Sequence, residues 1–259
     1  MQYYYKIICS YQGTNYWGWQ IQAQGPTIQG HINSVLAKIS KTDPKEVKTL
    51  ASGRTDRGVH ALAQVFRAEL ALNIEAEALK KAMNSLLASD IRIINVEVCG
   101  SDFHPIRDSI SKRYVYLFSC ESSELPFETP FVAQCPYPVD LEKIKKGLAL
   151  ILGTHDFSNF RTLGTDVKTT VKTIHKAHIE QVEQIPGSFR GDRTIYQLSF
   201  EGDGFLKQMV RLLVGGLWSV GSGKSELAQL EKALSAESEM RIGAVAPACG
   251  LYLHSVKYP

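Results

Sequence analysis

Residues 51–61 read ASGRTDRGVHA, a stretch in which one carboxylate, Asp56, sits among the guanidiniums of Arg54 and Arg57. Gly53 and Gly58 flank the charges, and His60 follows. An apolar run through Val59, Ala61, Leu62, Ala63 and Val65 begins at once. Type and spacing leave two readings open. Asp and Gly favour turns for local backbone reasons, which makes the segment a solvated turn. Alternatively, the adjacent guanidiniums favour the ionised acid and lower its pKa. A loop anchored on a core strand then presents a charged carboxylate, a candidate nucleophile. A general acid would need the opposite shift.

The elements that must position this loop follow from periodicity. Tyr3 to Tyr11 reads as a strand, and a helix starts at Thr27 with Ile28, Ile32, Val35, Leu36 and Ile39 on one face. Leu62 to Leu70 reads as a strand, a helix from about Glu75 carries Leu79, Ala82, Met83 and Leu86, and Ile91 to Val98 is β-rich. A second round of the same pattern follows. Ile110 to Phe118 reads as a strand, then a proline-rich loop leads to Asp140, the expected N-cap of a helix with Leu141, Ile144, Leu148 and Ile151. Gly153 is the expected stop of that helix. Thr169 to Val182 and Thr194 to Phe200 read as strands, and a long helix is expected from about Gly204, with a final strand near Leu251 to Tyr258. The fold class is α+β, in two halves of similar pattern meeting near residues 100 to 110.

Composition excludes several classes. The chain has 259 residues, 44% hydrophobic and 21% charged, as in an ordinary globular protein. A net charge of +3 does not announce a nucleic-acid binder, so cations meeting a polyanion must be gathered on one face. Five scattered cysteines, never spaced CxxC, argue against a disulfide framework or a structural zinc site and for a reducing compartment. No long apolar run or signal-peptide core is visible, and a cytoplasmic setting is expected.

GRTDRGVHA resembles the catalytic motif of the TruA-type tRNA pseudouridine synthases, which usually reads GRTDAGVHA. Further blocks follow the family's order: YQGTNYWGWQ (Tyr11 to Gln20), SKRYVY (Ser111 to Tyr116), GTHDFSNFR (Gly153 to Arg161), FLKQMVRLLVG (Phe205 to Gly215) and APACGLYLHSVKY (Ala246 to Tyr258). Six blocks in order are far more specific than any one, and they favour the nucleophile over the solvated turn.

The resemblance implies two ferredoxin-like halves, their largely antiparallel sheets joined side by side with the active cleft between them. On this reading residues 1–105 carry the aspartate loop and residues 106–259 the active-site tyrosine and arginine. It implies Asp56 as the nucleophile that isomerises uridine to pseudouridine in the tRNA anticodon arm, at positions 38 to 40, without cofactor or metal. Tyr114 matches the tyrosine that lies against the uracil ring, and Arg211 the arginine that pairs with the aspartate. Arg54 matches the arginine that holds the target nucleotide out of the stack. Phosphate contacts are expected from Lys112, Arg113, Arg161, Lys168, Lys172, Arg190 and Arg193, and Arg57 adds a charge near the site. His60 and His155 belong to matching motifs as structural or RNA-facing residues. Tyr16, Trp17 and Trp19 are candidates to stack on bases, although tryptophan in such a stretch is more often core. The partners implied are tRNA and a second copy of the chain, in a homodimer.

The chain departs from the family at four places. Arg57 replaces a small residue, Gln12 stands where Asp is common, Lys172 stands where Arg is common, and FHPIR (Phe103 to Arg107) displaces an arginine by one. GSGKS (Gly221 to Ser225) imitates the end of a P-loop, but the motif needs glycine at position 218, which is Trp218. It is therefore expected to be a helix-terminating turn. The competing functions are a non-catalytic RNA-binding protein on the same scaffold and an acid-dependent hydrolase. A hydrolase would want a second carboxylate or a metal cluster, and Asp156 and Asp166 stand isolated.

Overall fold

The computed structural model describes residues 1–121, 126–162, 168–182, 193–235 and 240–259. Arg190 and Asp166 lie outside the described residues. The chain divides into two compact units, Met1–Ile110 with Tyr252–Pro259, and Ser111–Leu251. It is α+β, with mostly antiparallel strand pairing.

In the first unit the order is β1 (Tyr3–Tyr11), α1 (Ile28–Ser40), β2 (Lys48–Ala51), β3 (His60–Leu70), α2 (Ala76–Leu86) and β4 (Ile91–Cys99). The strands lie in the order β4-β1-β3-β2, all antiparallel, which is the ferredoxin-like arrangement. Alternation buries Tyr5, Ile7, Cys9 and Tyr11 on one face of β1. The apolar stripe of α1, Ile28, Ile32, Val35 and Leu36, is buried as its spacing requires. Thr27 caps α1 by accepting the N–H of Gly30, and Glu75 caps α2 by accepting from Glu77 and Ala78.

The far edge of β3 is shared. Its C-terminal part pairs with β2, and its first residues, His60 and Ala61, pair in parallel with Tyr252 and Leu253 of the last strand. That strand spans Leu251–Lys257.

The second unit repeats the pattern. It contains β5 (Ser111–Ser119), the two-residue β6 (Ala133–Gln134), α3 (Leu141–Ile151), β7 (Gly153–Asp156), β8 (Val171–Val182), β9 (Ile195–Gly202), α4 (Met209–Gly221) and α5 (Leu227–Ala233). The last strand, in chain order, is β10. The sequence β5-α3-β8-β9-α4 has strand order β5-β9-β8, matching β1-α1-β2-β3-α2 with order β1-β3-β2. Asp140 caps α3 through the N–H groups of Glu142 and Lys143. Gly153 lies just past its end, with a φ of 98°.

The start of α4 departs most from expectation. The helix expected from Gly204 begins at Met209, because Gln208 takes the left-handed conformation (φ 61°, ψ 9°). Thr162 holds that turn, its N–H bonding the Lys207 carbonyl and its hydroxyl donating to Oε1 of Gln208. Phe205 keeps its apolar spacing but packs outside the helix, edge-on to Tyr114 with centroids 5.0 Å apart. GSGKS is the expected helix-ending turn: Ser222 bonds back to Trp218, and Lys224 and Ser225 to Ser219. Among the described residues no helix is long and apolar enough to cross a membrane.

Candidate active site

The loop carrying Asp56 is braced by the block at residues 11–20, through contacts that only glycine allows. A Cβ on Gly13 would fall on the Val59 carbonyl, and one on Gly18 on the Thr55 carbonyl. Gly18 also has a φ of 91°, in the region that favours glycine. The two backbones are therefore in direct contact and hydrogen-bonded. Trp19 N–H donates to the Thr55 carbonyl at 3.1 Å, and Gly58 N–H to the Tyr16 carbonyl at 3.3 Å. Beneath the loop, Tyr11 and Thr55 share a buried hydroxyl contact of 2.9 Å, while Gln64 donates to the Gly53 carbonyl and accepts from Ser52. Val59 N–H closes the turn on the Asp56 carbonyl at 3.1 Å. Arg54 and Arg57 are exposed and Asp56 is half-buried.

His60 is not RNA-facing. Its ring is 2% exposed, stacks on Tyr252 with centroids 4.7 Å apart, and accepts the Gly13 N–H on Nδ1 at 3.1 Å. Of the two roles expected of it, structural or RNA-facing, this burial favours the structural one. Its location immediately after the loop makes it a brace. Trp19 and Tyr16 are likewise core residues, Trp19 against Phe66 and Tyr16 donating to Asp90 at 2.7 Å. Trp17 is half-buried, with the Arg57 guanidinium carbon 3.9 Å from its ring centroid.

In the second unit, Lys112 and Tyr114 are both buried on one face of β5, two residues apart. Burial, and secondarily the Lys172 charge, push the Lys112 ammonium down to about 8. Arg113 points the other way and donates to Ser199 at 2.9 Å. Arg211 is the one residue of α4 that is not fully buried. Ala246 holds it at both ends, accepting from Nε at 2.7 Å and donating its N–H to the Arg211 carbonyl. Lys172, on β8, pairs in register with His155 on β7. Arg161 is half-buried after a short 3-10 turn, and Lys168 is exposed.

Arg193 is placed differently from expectation. Its guanidinium is 6% exposed, 3.2 Å from Glu128, and donates to Gln134. It serves the interior. Asp156, the isolated acid a hydrolase would need to pair, accepts the Ser158 N–H at 2.8 Å and so shapes its own turn. The displaced Arg107 bonds Asp108 and the Asp102 carbonyl.

The sequence profile of the tRNA pseudouridine synthases matches residues 7–106 and 148–259, which include the Asp56 loop and Arg211. The chain belongs to this family. Similar relatives are named tRNA pseudouridine synthase A. That of Lacticaseibacillus casei is 36% identical over 257 residues, covering 98% of this chain and 99% of its own. That of Exiguobacterium is 37% identical over 253 residues, covering 98% and 97%. That of Bacillus pumilus is 36% identical over 253 residues, covering 98% of each. As a pseudouridine synthase, the chain places its aspartate in the first unit and the tyrosine and arginine of the motif set in the second.

Proposed function

We propose that this synthase converts uridine to pseudouridine in the anticodon arm of tRNA, at positions 38 to 40, with Asp56, Tyr114 and Arg211 as its catalytic residues. The reaction breaks the N1–C1′ glycosidic bond, turns the uracil, and joins C5 to C1′. The proton leaving C5 is balanced by one gained at N1, so the change is an isomerisation needing no redox partner. The base must leave its stack first, at a cost of about a few kcal/mol. Arg54 would hold it out, and Lys112, Arg113, Arg161, Lys168 and Lys172 would supply the salt-sensitive share of tRNA affinity. A cytoplasmic homodimer is part of the same reading.

The observation that carries this is the bracing of the Asp56 loop. A solvated turn has no use for two glycines pressed against its backbone and a buried hydrogen-bond network below it. A nucleophile does, because oriented attack depends on placement within a fraction of an ångström. The test is tritium release from tRNA labelled at uridine C5, without added metal, comparing native protein with Asp56→Ala at equal tRNA occupancy. Release by native protein alone is expected. Binding without release, across several tRNAs, would instead make the chain an RNA-binding protein.

A further inference from the structure

Arg57 directly follows Asp56, and its side chain has a built seat. The guanidinium carbon lies 3.9 Å from the centroid of the Trp17 ring, within the range of a cation–π contact. The seat itself is fixed. Trp17 N–H donates to the Pro26 carbonyl at 2.8 Å, its carbonyl accepts from Gln22, and Gly25 lies so close to the Cδ1–Nε1 edge that a Cβ there would collide with it. The backbone on either side of Arg57 is fixed too. A Cβ on Gly18 would come within 3.2 Å of the Arg57 nitrogen, and the next residue, Gly58, is bonded to the Tyr16 carbonyl. Indole and guanidinium are thus brought together by the same backbone contact that braces the loop.

The charge on this seat points outward. Arg57 is exposed, and among the described residues the ion pairs engage other cations. With one face of the guanidinium on the indole, its N–H edge remains for a ligand. A guanidinium edge matches the paired oxygens of a phosphate, and stacking restricts the rotamers that would otherwise be lost on binding. RNA offers one such group per nucleotide. Arg57 is the residue next to the nucleophile, so the phosphate it meets must be close to the reacting nucleotide.

We propose that Arg57, seated on Trp17, grips a single backbone phosphate adjacent to the target uridine and so positions that nucleotide. This rests on the function proposed above. Arg57 is a positioning residue, and the ligand is a phosphodiester of the tRNA.

The experiment uses full-length protein and tRNAs bearing one neutral methylphosphonate linkage, moved in turn through the phosphates around the target. Binding and C5-tritium release are both measured, for native protein, Arg57→Ala, Arg57→Lys and Trp17→Leu. One linkage is expected to weaken native binding about tenfold and to cost Arg57→Ala nothing further. Arg57→Ala is expected to lower the salt slope of binding by about 1, with its loss of activity falling on KM. Arg57→Lys keeps the slope but recovers only part of the affinity, and Trp17→Leu weakens the same linkage effect. If every linkage costs Arg57→Ala as much as native protein, the proposal is overturned. A loss that is independent of salt and follows base identity would make the site a stacking platform and overturn it equally. If native protein releases no tritium yet shows the linkage effect, the phosphate grip stands and the catalytic reading fails.

Discussion

The peptide N–H of Gly13 donates to Nδ1 of His60 across 47 residues of sequence, at 3.1 Å and out of contact with water. That bond ties the block at residues 11–20 to the first residue of β3, at the foot of the Asp56 loop. His60→Phe would keep a ring on Tyr252 and leave a buried N–H without its acceptor. A loss of about 1–3 kcal/mol in urea denaturation is expected. Variant and native protein should bind tRNA alike once compared at equal folded fraction. Weakened binding by the fully folded variant would return His60 to the RNA surface.

Gly18→Ala is expected to be worse. The added methyl meets the Thr55 carbonyl, and the residue's φ of 91° is strained for any side chain. A destabilisation of roughly 2 kcal/mol or more should appear in the denaturant midpoint. Activity per folded molecule should fall as well, because relief of the clash moves the backbone beside Asp56. Native activity in the folded fraction would show that the loop tolerates displacement.

Lys112 is expected to make tRNA affinity depend on pH. Its folded value of about 8 lies below the ordinary 10.5, because burial and Lys172 disfavour the charge. A bound phosphate favours the charge and raises that value. The complex then holds a proton that the unbound protein loses above pH 8, so tRNA affinity should fall as pH rises from about 8. Stability runs the other way. Between about 8 and 10.5 the unfolded chain binds more protons than the folded one, so stability gains from this group as pH rises through that window. Binding and urea titrations at pH 7 and pH 9.5 should show both trends, and Lys112→Met should flatten both.

Arg193→Ala should act on folding alone. It removes one partner of a buried ion pair and leaves the Glu128 carboxylate uncompensated, at a cost of about 3–5 kcal/mol. Glu128→Gln with Arg193→Met together should recover part of that loss. The salt slope of tRNA binding, measured on folded protein, should not change. A reduced slope would place Arg193 on the RNA after all.

Local spacing made much of the fold legible. The stripe Ile28, Ile32, Val35 and Leu36 and the cap Asp140 each announce a helix, and each is found where its own neighbours place it. The start of α4 escaped for a specific reason. Phe205 continues the helical spacing of Met209 and Leu212, but the backbone between them is turned by Gln208, whose partner Thr162 lies 46 residues away. The short β2 offers only four residues, too few to show a period.

The sequence by itself determined the family, the candidate chemistry and the order of the longer elements, because motif identity and periodicity are properties of adjacent residues. What only the tertiary structure decided is which polar groups face inward. Nothing in the spelling of Arg193 separates it from a solvated arginine until Glu128, 65 residues earlier, is folded against it. His60 becomes a brace only when Gly13 and Tyr252 close on it. Arg57 gains its seat only when two glycines let one backbone press against another. Burial and pairing are settled by partners remote in the chain, and spacing along one segment carries no record of them.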